Sequence, residues 1–108
     1  MNKVILMGRL TKDPEIRATA TGMQVASFTL AVNRRFAKEE PKADFFNITA
    51  WNKTAEFVCK YFTKGQQVLV SGRLENRSWE DNSGVKRYAT DVIAEEVYLK
   101  KKKKQEDK

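Results

Sequence analysis

The sequence predicts an all-β domain in which five strands surround one core and a single short helix lies between the third and fourth strands. Three observations carry that reading. Apolar residues recur at alternate positions in five separate stretches, the period of a strand with one face turned to a core. One stretch alone changes to helical spacing, and Pro, Gly, Asn and Asp punctuate the intervals. At 108 residues the chain has room for one core.

The first strand is expected from Asn2 to Thr11, with Val4, Leu6, Gly8 and Leu10 on one face and Ile5, Met7 and Arg9 on the other. So apolar a pattern on both faces predicts that both are largely covered. Asp13-Pro14 breaks the strand, and a polar, small-residue stretch continues to Gly22. Gln24 to Asn33 is the second strand, carrying Val25, Phe28, Leu30 and Val32, and the charged segment Arg34 to Lys42 is a loop or projecting arm. In the third, Ala43 to Asn52, Phe45, Asn47, Thr49 and Trp51 alternate with Phe46, Ile48 and Ala50. Ala55, Val58 and Phe62, with Phe57 and Tyr61 alongside, then recur at helical spacing. Asn52 or Thr54 is expected to cap this helix and Lys64-Gly65 to end it. Gln67 to Trp79 is the fourth strand, long and bent if Gly72 marks a bulge or barrel corner; Asp81-Asn82-Ser83-Gly84 is a turn, and Arg87 to Leu99 is the fifth strand. Three strands, a helix and two strands is the order of the OB-fold, a small five-stranded barrel.

Composition narrows the function. Twenty-one Lys and Arg against fourteen Asp and Glu leave a net +7, which suits a polyanion partner. Up to Leu99 there are fifteen bases and twelve acids, so more than half of the excess lies in the last nine residues, Lys100 to Lys108, expected to form a solvated, disordered basic tail. The chain thus divides into a folded domain, 1–99, and a tail, 100–108. The absence of histidine removes the commonest general base and, with a single cysteine, nearly every zinc site, so no catalytic residue, metal or other cofactor is expected. Cys59 is unpaired within the chain and reads as a small apolar filler in a reducing compartment. The apolar runs are far shorter than the roughly twenty residues of a membrane span, and no signal or transit peptide is visible, so a cytoplasmic, nucleoid-associated location without membrane contact is expected.

The chemistry lies in the aromatics. Phe45 and Trp51 share a face of the third strand with Asn47 and Thr49, and Trp79 shares a face of the fourth with Arg73 and Arg77. Rings interleaved with guanidinium groups suit a single strand of nucleic acid, whose unpaired bases stack while cations neutralise phosphates. Phe36, in the charged arm, supplies a fourth ring, with Arg34 and Arg35 beside it. Phe46, Ile48 and Ala50 furnish the core face of the third strand, leaving the polar Phe45 face to solvent. Phe28, Phe57, Tyr61, Phe62 and Tyr98 are assigned to core or subunit contact, and Tyr88 is undecided.

The segments Asn2-Lys3-Val4-Ile5-Leu6-Met7-Gly8-Arg9-Leu10, Asp13-Pro14-Glu15, Phe28-Thr29-Leu30-Ala31-Val32, Lys64-Gly65, Gly72-Arg73-Leu74 and Trp79 with the Gly84 turn resemble, in order, the bacterial-type single-stranded DNA-binding protein family. The match spans about Asn2 to Leu99. The resemblance implies an OB-fold, assembly as a homotetramer in which the first strand takes part, and sequence-independent binding and protection of single-stranded DNA during replication, recombination and repair, without catalysis. Carried over by position, the family's base-stacking aromatics fall on Phe36, Phe45, Trp51 and Trp79, and Lys53, Lys64 and Arg77 match positions that are commonly basic. Arg34, Arg35 and Arg73 are assigned to phosphate on the local reading alone.

The C-terminal residues depart from that family, whose members typically continue through a long linker to an acidic tip that recruits replication and repair proteins. Here the sequence closes on Lys100 to Lys104 and Gln105-Glu106-Asp107-Lys108, so recruitment through such a tip is not expected; the sequence is either a shortened form or a naturally tailless relative. Two other readings compete: an OB module that binds protein, and an enzyme. The second would have to rest on acidic pairs such as Glu39-Glu40, Glu80-Asp81 and Glu95-Glu96, which read as solvated charge.

Overall fold

The computed structural model describes residues 1–35 and 42–100. Their elements are β1 (Val4–Leu10), β2 (Glu15–Ala18), β3 (Gln24–Asn33), β4 (Ala43–Trp51), α1 (Asn52–Tyr61), β5 (Gln67–Glu80) and β6 (Lys86–Leu99). β1 pairs antiparallel with β5, from Val4 opposite Gly72 to Arg9 opposite Gln67, and its last residues, Arg9 and Leu10, also meet Ala31 and Leu30 of β3. β3 pairs antiparallel with β4, β4 runs parallel to β6 with Ile48 opposite Val92, and β6 returns antiparallel to β5. Five strands therefore close into a ring, the OB-fold architecture the element order implies.

β2 was not anticipated. Glu15 to Ala18 pair with Ser27 to Gln24, continuing along the edge of β3 where β1 leaves it. All four residues are exposed, so backbone pairing with β3 rather than burial holds most of the segment, and no apolar alternation announces it.

The core is built from Leu10, Phe28, Leu30, Ile48, Val68, Val70 and Val92 on the strands, with Ala55, Val58 and Phe62 brought in by the helical segment. Phe28 and Phe62 meet edge to face, their ring centroids 5.8 Å apart. α1 packs on β3, β4 and β6. Trp51 holds the N-cap position without a side-chain hydrogen bond, and Asn52, left-handed at φ 53°, is already helical; neither Asn52 nor Thr54 caps the helix as expected. The helix stops at Tyr61, because Phe62 must turn extended to bury its ring; Lys64-Gly65 lies beyond, in a turn that Thr63 O closes with the N–H of Gln66.

One expectation of coverage is corrected for the single chain. Ile5 and Met7, on the second face of β1, are 62% and 50% exposed, because among the described residues nothing packs on that side. Of the aromatics assigned to core or subunit contact, Phe28 and Phe62 are core, and Phe57, Tyr61 and Tyr98 are exposed on the single chain.

Beyond the ring, β5 and β6 continue as a two-stranded arm. The register shifts between Ser71 and Gly72, the bulge that Gly72 suggested, and from Leu74 to Glu80 every residue of β5 is exposed. At the root of the arm the Asn2 carboxamide bonds both backbone groups of Leu74, donating to its carbonyl at 2.8 Å and accepting from its N–H at 2.9 Å. At the tip, Gly84 adopts φ 79° and donates to the carbonyl of Asp81, while one oxygen of the Asp81 carboxylate accepts the N–H groups of Ser83 and Val85 and the other accepts Arg87 Nε. The Val85 N–H and the Arg87 guanidinium hold that carboxyl below its ordinary range.

Candidate nucleic-acid interface

Alternation along β4 turns Phe46, Ile48 and Ala50 inward and leaves Phe45, Asn47, Thr49 and Trp51 on the outer face. The register extends this face across the sheet. Ala31, Thr29, Ser27 and Val25 of β3 stand opposite those four residues in turn, and on the other side Thr49 adjoins Ile93 of β6, which faces Arg73 of β5. Along the arm the same face carries Glu75 opposite Asp91, Arg77 opposite Ala89 and Trp79 opposite Arg87. The two faces read separately from the sequence are thus one. Phe45, Trp51 and Trp79 are 66%, 38% and 43% exposed on it, and a groove of about 680 Å³ runs over it, lined among others by Thr11, Arg17, Thr49, Trp51, Arg77 and Ile93. Phe36 lies outside the described residues.

Three of the expected phosphate ligands hold carboxylates. Arg34 engages Asp44, its Nη2 2.9 Å from Oδ1 and its Nε within 3.2 Å of both oxygens. This hydrogen bonding raises the Arg34 pKa and lowers that of Asp44. Arg73 lies between Glu75, at 2.7 Å, and Glu95, at 3.3 Å, and its pKa is raised by both. Arg77 donates from Nε to Asp91 at 2.5 Å, and its guanidinium sits 4.8 Å from the centroid of the Trp79 ring. Glu95 keeps an exposed side chain and Asp81 a partly exposed one, and both also pair with arginines. Lys53 and Lys64 are exposed and, among the described residues, have no carboxylate within ion-pair distance. Arg35 is exposed just past β3.

The groove wall from Thr11 to Asp13 and Arg17, its buried floor at Ile93 and the Asp91 carboxylate were missed in the sequence. Asp91 was legible in principle, because it precedes Ile93 by two residues and so shares its face; Arg17 was not, because its strand leaves no pattern.

Rings open to solvent beside guanidinium groups can stack unpaired bases and neutralise phosphates. Among the described residues no cluster of three or more His, Cys, Asp and Glu side chains could hold a metal ion, and no helix is long and apolar enough to cross a membrane.

Comparison with known proteins agrees with this geometry. A model of the single-strand binding protein family matches residues 1–100. The chain belongs to that family. It is 54% identical over 99 residues to single-stranded DNA-binding protein 3 of Clostridium acetobutylicum, covering 90% of this chain and 69% of the relative. It is also 54% identical over 96 residues to a single-stranded DNA-binding protein of Clostridium perfringens, covering 88% and 63%. Single-stranded DNA-binding protein 1 of Staphylococcus aureus is 48% identical over 109 residues, covering 99% and 70%. The chain therefore spans about two thirds of the length of these curated relatives.

Proposed function

We propose that residues 1–99 form a domain that binds single-stranded DNA without regard to sequence and without catalysis, and that the basic residues 100–108 are a tail to it. The observation that carries this reading is the exposure of Phe45, Trp51 and Trp79 on one outer face together with Arg73 and Arg77. Stacking needs unpaired bases and ignores their identity, so a duplex fits such a face poorly and base preference is weak. In this reading Phe36, Phe45, Trp51 and Trp79 stack bases, and Arg34, Arg35, Lys53, Lys64, Arg73 and Arg77 meet the backbone. The names of the relatives support the same ligand. The role is protection of exposed strands during replication, recombination and repair, in the cytoplasm at the nucleoid. Assembly is a homotetramer, in which the outward Ile5 and Met7 of β1 are covered by another copy.

Titration with oligo-dT is the test. Binding is expected to quench the fluorescence of Trp51 and Trp79 and to weaken steeply as salt rises. No binding at low salt refutes the reading. A stoichiometric protein complex that survives nuclease treatment, without DNA affinity, would favour an OB module that binds protein.

A further inference from the structure

Arg34, Arg73 and Arg77, proposed to meet phosphate, each grip a carboxylate, and the pair Arg77–Asp91 is the most enclosed of the three. The Asp91 side chain is only 15% exposed, its oxygen lies 2.5 Å from Arg77 Nε, and both residues line the groove that Trp51 borders. On its other side Arg77 lies over the Trp79 ring. The guanidinium is a planar fork of five N–H donors, and here one edge is occupied by an anion that the protein itself supplies.

We propose that Asp91 beside Arg77 in this groove, and Glu75 and Glu95 beside Arg73 on the same sheet face, are built-in competitors for phosphate. In the free protein these carboxylates fill the anion-binding edges of Arg77 and Arg73; an entering strand must displace them or share the guanidinium while sitting close to their charge. The inference rests on the groove being the site for single-stranded DNA. It divides the cations into two kinds. Lys53 and Lys64 offer open charge, whereas Arg73 and Arg77 are held in place and yield only their advantage over an existing partner. Charge alone then gains little from the arginines, and a ligand that also stacks on Trp51 and Trp79 is favoured over other polyanions.

The test is a double-mutant cycle on the whole chain, Asp91→Asn and Arg77→Ala singly and together, with Glu56→Gln on the outer side of α1 as the control for one lost negative charge. Affinity for oligo-dT is measured by tryptophan quenching at several salt concentrations. Asp91→Asn is expected to bind about two- to fivefold more tightly than Glu56→Gln. Its dependence of log affinity on log salt should steepen by about 0.7 relative to the wild type. Arg77→Ala should cost more affinity in the Asp91→Asn background than in the wild type. Binding no tighter than that of Glu56→Gln, or strictly additive effects around the cycle, overturns the proposal. If circular dichroism shows that Asp91→Asn does not fold, Glu75→Gln, which frees Arg73 of the nearer of its two carboxylates, carries the same comparison with the same two outcomes, Arg73→Ala taking the place of Arg77→Ala in the cycle. Failure of the wild type to bind oligo-dT at all would instead refute the reading of the groove.

Discussion

Gly72 lies so close to Ile93 that an ideal β-carbon on it would sit 1.9 Å from the Ile93 carbonyl oxygen. The contact falls at the bulge where β5 passes from the barrel wall into the arm, so the smallest side chain would push the two strands apart. Gly72→Ala is expected to destabilise the domain at the upper end of the roughly 1–3 kcal/mol that overpacking costs, read from the urea midpoint. A loss below about 0.5 kcal/mol would mean that β6 yields freely at this point.

Exposed and buried aromatics separate by experiment. Phe62→Ala removes a fully buried ring and is expected to cost about 3–5 kcal/mol of stability. Phe45→Ala and Trp79→Ala should shift stability far less while weakening oligo-dT binding by about 1–3 kcal/mol each. Urea denaturation and binding titrations on the same variants distinguish the two classes.

The open lysines predict a uniform effect. Lys53→Ala or Lys64→Ala should weaken binding similarly for oligo-dT and mixed-sequence strands and reduce the salt slope by about 0.7 each. Isothermal titration at three salt concentrations measures it.

The exposed Ile5 and Met7 predict a change of mass. A single chain folds without covering them, so Ile5→Lys with Met7→Lys should leave the circular dichroism spectrum intact while light scattering reports a smaller assembly than the wild type. An unchanged mass would place the subunit contact elsewhere.

Acid should loosen the tip of the arm first. The Asp81 carboxyl titrates below its ordinary value because Val85, Arg87 and Ser83 bond its charged form. A depressed carboxyl contributes stability above the unfolded pKa of about 3.9, and that contribution disappears as pH falls through the lower folded value. Asp81→Ala should therefore be less stable than the wild type at pH 7, with the gap closing in the acid range below the ordinary carboxylate value. The arm amides of Ser83 and Val85 should lose hydrogen-exchange protection over the same interval.

Most of the barrel could be read from the sequence because its strands alternate. Phe46, Ile48 and Ala50 point to the core because Phe45, Asn47 and Thr49 do not, and Ala55, Val58 and Phe62 change the period where the chain becomes helical. What escaped was structure that the backbone makes alone. Glu15 to Ala18 pair without burying a side chain, and the helix ends four residues before Gly65 because a core ring, not a glycine, decides where it stops. The site divided the same way. The shared face of Phe45 and Trp51 followed from period two, but the carboxylates paired with Arg73 and Arg77 come from strand neighbours far along the chain, and only register brings them together.

The arm formed by β5 and β6 outside the ring has a mechanical consequence. Among the described residues no third strand flanks the ladder from Glu75 opposite Asp91 to Glu80 opposite Lys86. A two-stranded ribbon is free to twist more than strands held on both sides. Phe45 stands on the stiff wall and Trp79 on this spring, so the span between them is set by an elastic caliper. In the proposed function, bases of uneven spacing are met by twisting the ribbon while the barrel that carries it keeps its shape.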